Sequence, residues 1–219
     1  MQISSQNLES NHQSLVSPLL SPAQLQLKQP IKLGIMASGS GTNFAAIVQA
    51  IQEGSLKAEI PVLIYNNPDA KVAARAQKWD IPTVLLNHRN YKRRQDLDQA
   101  IVEVLRSHKV DLVIMAGWMR IVTEVLINAF PERILNIHPS LLPSFKGVRA
   151  IEQALAAKVK ITGCTVHLLS LEVDSGPILL QAAVPVLTGD TLDSLHARIQ
   201  IQEHRILPQA IAIMAQKFM

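Results

Sequence analysis

From Ile31 onward, short continuous aliphatic runs alternate with longer stretches that carry apolar residues at helical spacing. IKLGIMAS, IPVLIYN, TVLLN, DLVIMAGW and ILNIHPS are apolar without interruption, the pattern of strands buried on both faces. Between them lie FAAIVQAIQEG, an alanine-rich stretch after Asp69 with that residue as candidate N-cap, residues 91–108, and residues 123–129. These read as helices, and Leu97, Ile101, Val104 and Leu105 fall on one side of the third. Strands alternating with helices at this spacing predict βαβ units and a doubly wound, mostly parallel sheet. The rhythm then changes. GCTVHLLS and PILLQAAVPV flank the acidic turn 171–176, which predicts a hairpin and an antiparallel edge, and a helix from Leu192 to the C-terminus closes the fold. The expectation is a single α/β domain over residues 31–219. Residues 1–30 are Gln/Ser-rich and interrupted by Pro18 and Pro22, so they are expected to be an extension without fixed structure.

Composition narrows the function classes. The chain has 219 residues, 48% apolar and only 4% aromatic, so its core must be aliphatic. A net charge of +4 favours anionic small molecules mildly. Charged residues total 17% and form no dense basic block interleaved with aromatics, which argues against nucleic acid. No apolar stretch approaches the roughly 20 residues that cross a bilayer, and the N-terminus lacks a signal-peptide pattern. A cytoplasmic protein acting on small molecules, monomer or homodimer, is expected. The single cysteine, Cys164, excludes an internal disulfide and a multi-cysteine metal site. His167 and His196 have no ligand partners at metal-binding spacing, so no metal is expected.

Three motifs carry candidate chemistry. Gly39-Ser40-Gly41-Thr42-Asn43 joins the first strand to the first helix, and a glycine turn opening a helix suits a phosphate as well as it suits a tight turn. It is neither a P-loop nor a dinucleotide fingerprint, because no Gly-Lys-Ser/Thr follows and Phe44 stands at the third glycine. In Asn136-Ile137-His138-Pro139, the Asn and His are two apart on a strand and so leave the same face, at the end where open α/β sheets bind ligands. An amide to hold an oxyanion and an imidazole to move a proton suit acyl transfer. The turn around Asp174 is good hairpin chemistry, and spacing alone does not bring it to His138. Arg89, Lys92, Arg93 and Arg94 read as a solvated cluster.

These motifs, with Ala116-Gly117-Trp118-Met119-Arg120-Ile121, Asn136 to Pro143, Gly163-Cys164-Thr165-Val166-His167 and Asp174-Ser175-Gly176-Pro177-Ile178, resemble the folate-dependent phosphoribosylglycinamide formyltransferases over residues 31–217. The resemblance implies the formyltransferase fold and direct transfer of a formyl group from 10-formyltetrahydrofolate to the amine of phosphoribosylglycinamide, in purine synthesis, with no covalent enzyme intermediate. Asn136, His138 and Asp174 match the catalytic trio, with Asp174 orienting the imidazole and favouring its charged form. Gly41, Thr42 and Asn43 match the phosphate turn, and Glu203 an acidic residue that contacts the sugar substrate. Met119, Arg120, Ile121, Val122 and Asn136 match the folate site, and Arg94 a folate-contacting arginine. The sequence departs from many members after Gly147, where Arg149-Ala150-Ile151 replaces a His-x-His-like stretch. Relatives that formylate methionyl-tRNA or deformylate the folate carry an additional domain for which this chain is expected to have no residues.

Overall fold

The structure is a computed structural model that describes residues 15–218. Its elements in chain order are β1 (Val16–Ser17), α1 (Pro22–Leu25), β2 (Ile31–Ala37), α2 (Thr42–Gln52), β3 (Ala58–Tyr65), α3 (Lys71–Gln77) and β4 (Thr83–Leu85). They continue with α4 (Arg94–Ser107), β5 (Leu112–Met115), α5 (Glu124–Ala129), β6 (Ile134–His138), α6 (Ala150–Ala156), β7 (Ile161–Leu168), β8 (Ile178–Pro185) and α7 (Leu192–Ala215). The strands form one eight-stranded sheet in the order β1-β8-β7-β6-β5-β2-β3-β4. Pairing is parallel from β4 through β6 and antiparallel across β6–β7, β7–β8 and β8–β1, as the change of rhythm after residue 163 predicts.

The buried strands serve two cores at once. Leu33 and Ile35 of β2, with Leu112 and Ile114 of β5, pack under α2 and α7. Met36, Val113 and Met115 face the other way, against Leu97, Ile101 and Leu105 of α4 and Leu126 of α5. Side chains alternate across a strand, so a strand covered on both faces must be apolar at every position. That is why these runs show no polar alternation.

β2 lies between β3 and β5, so the chain turns one way from it to β3 and the other way to β5. Such a switch point opens a crevice beyond the strands' carboxyl ends. The loops leaving β2 and β5 meet there: Ser38 N–H donates to the Gly117 carbonyl at 3.0 Å, and Met119 N–H to Ser38 Oγ at 2.8 Å.

Three expectations need correction. Residues 15–30 are not a structureless extension. β1 pairs with β8, and Val16 and Leu27 are buried in the main core with Leu20 and Leu25 packed against it. Lys57 Nζ donates to the Lys28 carbonyl at 2.6 Å and Gln216 Nε2 to the Gln24 carbonyl at 2.6 Å. The segment is held by its four spaced aliphatic residues and by backbone groups, neither of which makes a periodic signal; the rest of the expected extension, residues 1–14, lies outside the described residues. Second, α6 has no counterpart among the expected elements; it is under two turns long and follows Arg149 in the left-handed conformation, with Ala150, Ile151 and Ala154 buried. Third, Ala70 rather than Asp69 stands at the N-cap of α3 and offers no side-chain cap; the Gly39 carbonyl instead accepts from Val72 N–H at 3.1 Å.

Deleting residues 1–29 removes two buried aliphatic side chains, Val16 and Leu27, each worth at most roughly 1.5–3 kcal/mol before the entropy of ordering the arm is subtracted. A fall in Tm of about 5–10 °C is expected by calorimetry, at about 2–4 °C per kcal/mol; an unchanged Tm would mean the arm contributes nothing.

Candidate active site

Asn136 and His138 leave the same face of β6, and the antiparallel register sets Asn136 opposite His167 and His138 opposite Thr165 on β7. The β7–β8 link then returns to the same place. Asp174 sits in it with a left-handed backbone (φ 50°), and Gly176 passes so close to the sheet that a Cβ there would lie 1.8 Å from the Leu168 carbonyl oxygen. A side chain at 176 would therefore push the link, and Asp174 with it, away from β6.

The result is one polar cluster. Asp174 Oδ2 lies 3.3 Å from His138 Nδ1 and accepts from Gly147 N–H at 2.8 Å. Its other oxygen, Oδ1, is 3.6 Å from His167 Nε2 and 3.5 Å from Asn136 Nδ2. Burial acts on the Asp174 carboxyl to raise its pKa, but the His167 ring, the Gly147 N–H and the charge of His138 outweigh it, and the net direction is down. Asp174 is thus an anion at neutral pH. His138 is buried, and its Nε2 lies 2.9 Å from the Phe145 carbonyl. Its two ring nitrogens thus lie between the Asp174 carboxylate and the Phe145 carbonyl.

Sequence reasoning left His167 without a role, yet the structure makes it part of this cluster. It is fully buried; Nδ1 lies 2.9 Å from the Leu168 carbonyl, and Nε2 lies 3.1 Å from Asn136 Nδ2 and 3.6 Å from Asp174 Oδ1. Thr165 and Gln181 were missed as well. Thr165 Oγ1 donates to the Ser140 carbonyl at 2.7 Å and accepts from Leu142 N–H at 3.1 Å, while Gln181 Nε2 donates to the Leu142 carbonyl at 2.9 Å. Together they stitch the proline-flanked segment after His138 to the hairpin. The available signal was the Thr-x-His spacing, which mirrors Asn-x-His on the neighbouring strand.

The glycine turn forms a second corner. Gly41 caps α2 with φ 74°, and a Cβ there would lie 2.4 Å from Val72 Cγ2, so the position requires glycine. The first-turn N–H groups of α2 have no partners within the helix and face out of its end. Gln200 Nε2 donates to Thr42 Oγ1 at 3.0 Å, and Asn43 Nδ2 to Glu203 Oε2 at 2.9 Å, leaving Asn43 Oδ1 buried without a partner. Glu203 is buried, and burial holds its carboxyl above the usual range despite the Asn43 bond and the nearby His196. The same burial, with the charge of Glu203, pushes the Cys164 thiol far up, so that residue is an inert part of the core.

The third group is exposed. Met119 is 76% and Ile121 52% accessible, on the loop that follows β5, and Arg94 at the start of α4 is exposed and forms no ion pair with the described residues. Val122, the last residue of that segment, has its side chain buried in the second core. A cavity of about 490 Å³ between α2 and α7 has Thr42 of the glycine turn in its lining and none of the trio. Among the described residues no group of His, Cys, Asp or Glu could hold a metal, and no helix is long and apolar enough to cross a membrane.

An open α/β sheet with an amide, an imidazole and a carboxylate at its switch-point edge, beside a free helix N-terminus, defines a ligand-binding protein equipped for acyl-type group transfer. Residues 31–211 match the family described as "Formyl transferase", and the chain belongs to that family. A protein from Bacillus subtilis named phosphoribosylglycinamide formyltransferase is 41% identical over 180 residues, 82% of this chain and 92% of its own length. The human "Trifunctional purine biosynthetic protein adenosine-3" is 42% identical over 188 residues; these cover 86% of this chain but only 19% of that much longer protein. Among solved structures, glycinamide ribonucleotide transformylase 1 from Symbiobacterium toebii superposes with a TM-score of 0.85 at 46% identity, covering 87% of this chain and 90% of that one.

Because the Glu203 carboxyl is raised by folding, its contribution to stability is full below about pH 4, its unfolded value, and is lost as pH rises through its folded value. Glu203→Gln removes that loss. Thermal unfolding at pH 5 and pH 8 should show the wild type losing more Tm across the interval than the variant; parallel losses would contradict the assignment.

Proposed function

We propose that this chain transfers the formyl group of 10-formyltetrahydrofolate to the amine of phosphoribosylglycinamide, the acceptor for which the Bacillus subtilis relative is named. The observation that carries the reading is the convergence of Asn136, His138 and Asp174 within hydrogen-bonding range at the carboxyl edge of the sheet. The sugar phosphate sits at the N-terminus of α2, where the free N–H groups beyond Gly41 and the helix dipole receive it. Glu203, anchored by Asn43, then faces the rest of that substrate. The donor is a flat heterocycle with an anionic tail. Exposed Met119 and Ile121 offer the ring an apolar surface, and Arg94 offers the tail a cation.

The reaction is a direct displacement at a carbonyl. The amine nitrogen attacks the formyl carbon, the carbon–oxygen double bond opens to an oxyanion, and collapse breaks the bond to the folate nitrogen while one proton leaves the amine and one reaches that nitrogen. Asn136 Nδ2 lies 3.1 Å from His167 Nε2, and its contact with Asp174, at 3.5 Å, is long and yields a donor to the oxyanion. His138, kept in place by Asp174 on Nδ1, presents Nε2 to the reacting atoms once the Phe145 carbonyl gives way, and both stabilises the oxyanion and passes the proton. Asp174 stays ionised and orients the ring.

The reading is tested by mixing protein, phosphoribosylglycinamide and 10-formyltetrahydrofolate and following folate absorbance. Turnover that requires both substrates supports it; folate cleavage without the ribonucleotide would make the protein a deformylase, and folate binding without turnover a non-catalytic module. His138→Ala should lower kcat by about 10²–10⁴ with substrate binding largely kept. Asn43→Ala should raise KM for the ribonucleotide well above any change in KM for the folate, and equal rises would remove the phosphate corner from the mechanism.

A further inference from the structure

Asp98 is an acid in the second core. It lies on α4 one turn beyond Arg94, is 2% exposed, and sits beside Leu97, Ile101 and Val102. Its Oδ2 accepts from Thr123 N–H at 2.5 Å, across 25 residues of sequence. Thr123 is the N-cap of α5, its own Oγ1 accepting from Val125 N–H at 3.3 Å. Burial drives the Asp98 carboxyl pKa up; the Thr123 backbone and hydroxyl oppose this, and Glu124 adds to it. A carboxyl among aliphatic side chains is a costly way to cap one N–H, since Thr123 already supplies a side-chain cap for α5.

What the bond secures is the loop between β5 and α5. One end is tied at Met119, whose N–H donates to Ser38 Oγ, and the other at Thr123, held by Asp98. Between the ties stand Arg120, Ile121 and the buried Val122, and the exposed Met119 and Ile121 side chains lie on a span of a few residues fixed at both ends. The second tie runs to the helix that begins at Arg94. This buried bond, beside the apolar packing of Val122 and Leu126 against α4, ties the loop to the helix that begins at Arg94.

We propose that Asp98 is a positioning residue for the folate half of the site, setting the separation between the Met119–Ile121 surface and Arg94 so that ring and tail of one ligand are met together. This rests on the formyl-transfer reading above and adds to it a residue that touches neither substrate. Apolar contact and charge attraction each act over short distances, so a shift of the loop by about 1 Å relative to α4 loses one contact or the other.

The test compares the full-length wild type with Asp98→Ala and Asp98→Asn. Calorimetry gives the Kd for tetrahydrofolate, steady-state kinetics give KM for both substrates and kcat, and a thermal scan reports folding. Asp98→Ala should weaken tetrahydrofolate binding and raise KM for the formyl donor by about tenfold, the loss expected for one well-aligned bond's worth of organisation. KM for the ribonucleotide should stay within about twofold, because the phosphate corner lies on α2 and α7. Asp98→Asn keeps an acceptor oxygen and should recover most of the folate affinity. If Asp98→Ala does not fold, Asp98→Ser, polar but too short to reach Thr123, carries the same expectation. Unchanged tetrahydrofolate affinity in a folded variant would overturn the inference, as would equal rises in both KM values with no rescue by asparagine. Failure of the wild type to bind tetrahydrofolate would instead remove the formyl-transfer reading itself.

Discussion

The antiparallel register between β6 and β7 is the constraint on which the rest of the site depends. It sets Asn136 against His167 and His138 against Thr165, with Cys164 and Val166 turned into the opposite core. Side chains along a strand alternate with a period of two, so a slip of one residue would exchange those faces and bury the amide and imidazole among α7's aliphatic residues. The shift in β7–β8 pairing between Val166 and His167 falls at the same level. Bulges re-aim the chain locally, and this one lies where β8 begins, just after the link that carries Asp174 home.

Much of the fold is legible in the sequence because the parallel strands are buried on both faces. IKLGIMA and LVIM have no other stable environment in a chain with so few aromatics. The change of pattern at the hairpin was equally readable. What escaped is what lacks periodicity: α6 completes fewer than two turns, and the N-terminal segment is held by four spaced aliphatic residues and by hydrogen bonds from its backbone. Asp69 looked like a helix cap because its residue type caps well, but the glycine turn's carbonyl had reached α3 first.

The candidate site divides the same way. Asn136 and His138 could be placed on one face from spacing alone. Their meeting with Asp174 could not, since it depends on the hairpin returning and on Gly176 passing against Leu168. His167 was unreadable for a related reason: its partners are an amide and a carboxylate on other elements, and nothing local to it marks them. The phosphate corner was half legible, as a glycine turn before a helix; the Asn43–Glu203 pair that supports it joins residues at opposite ends of the chain.

The sole cysteine is a residue of β7 whose side chain is sealed in the core near the carboxylate of Glu203, with its thiol held firmly protonated. Thiol-directed reagents therefore find no foothold on the folded molecule. A cysteine introduced anywhere on its surface would be the one reactive sulfur, and a fluorophore or spin label could report motion of the loop between β5 and α5 without first removing a native residue.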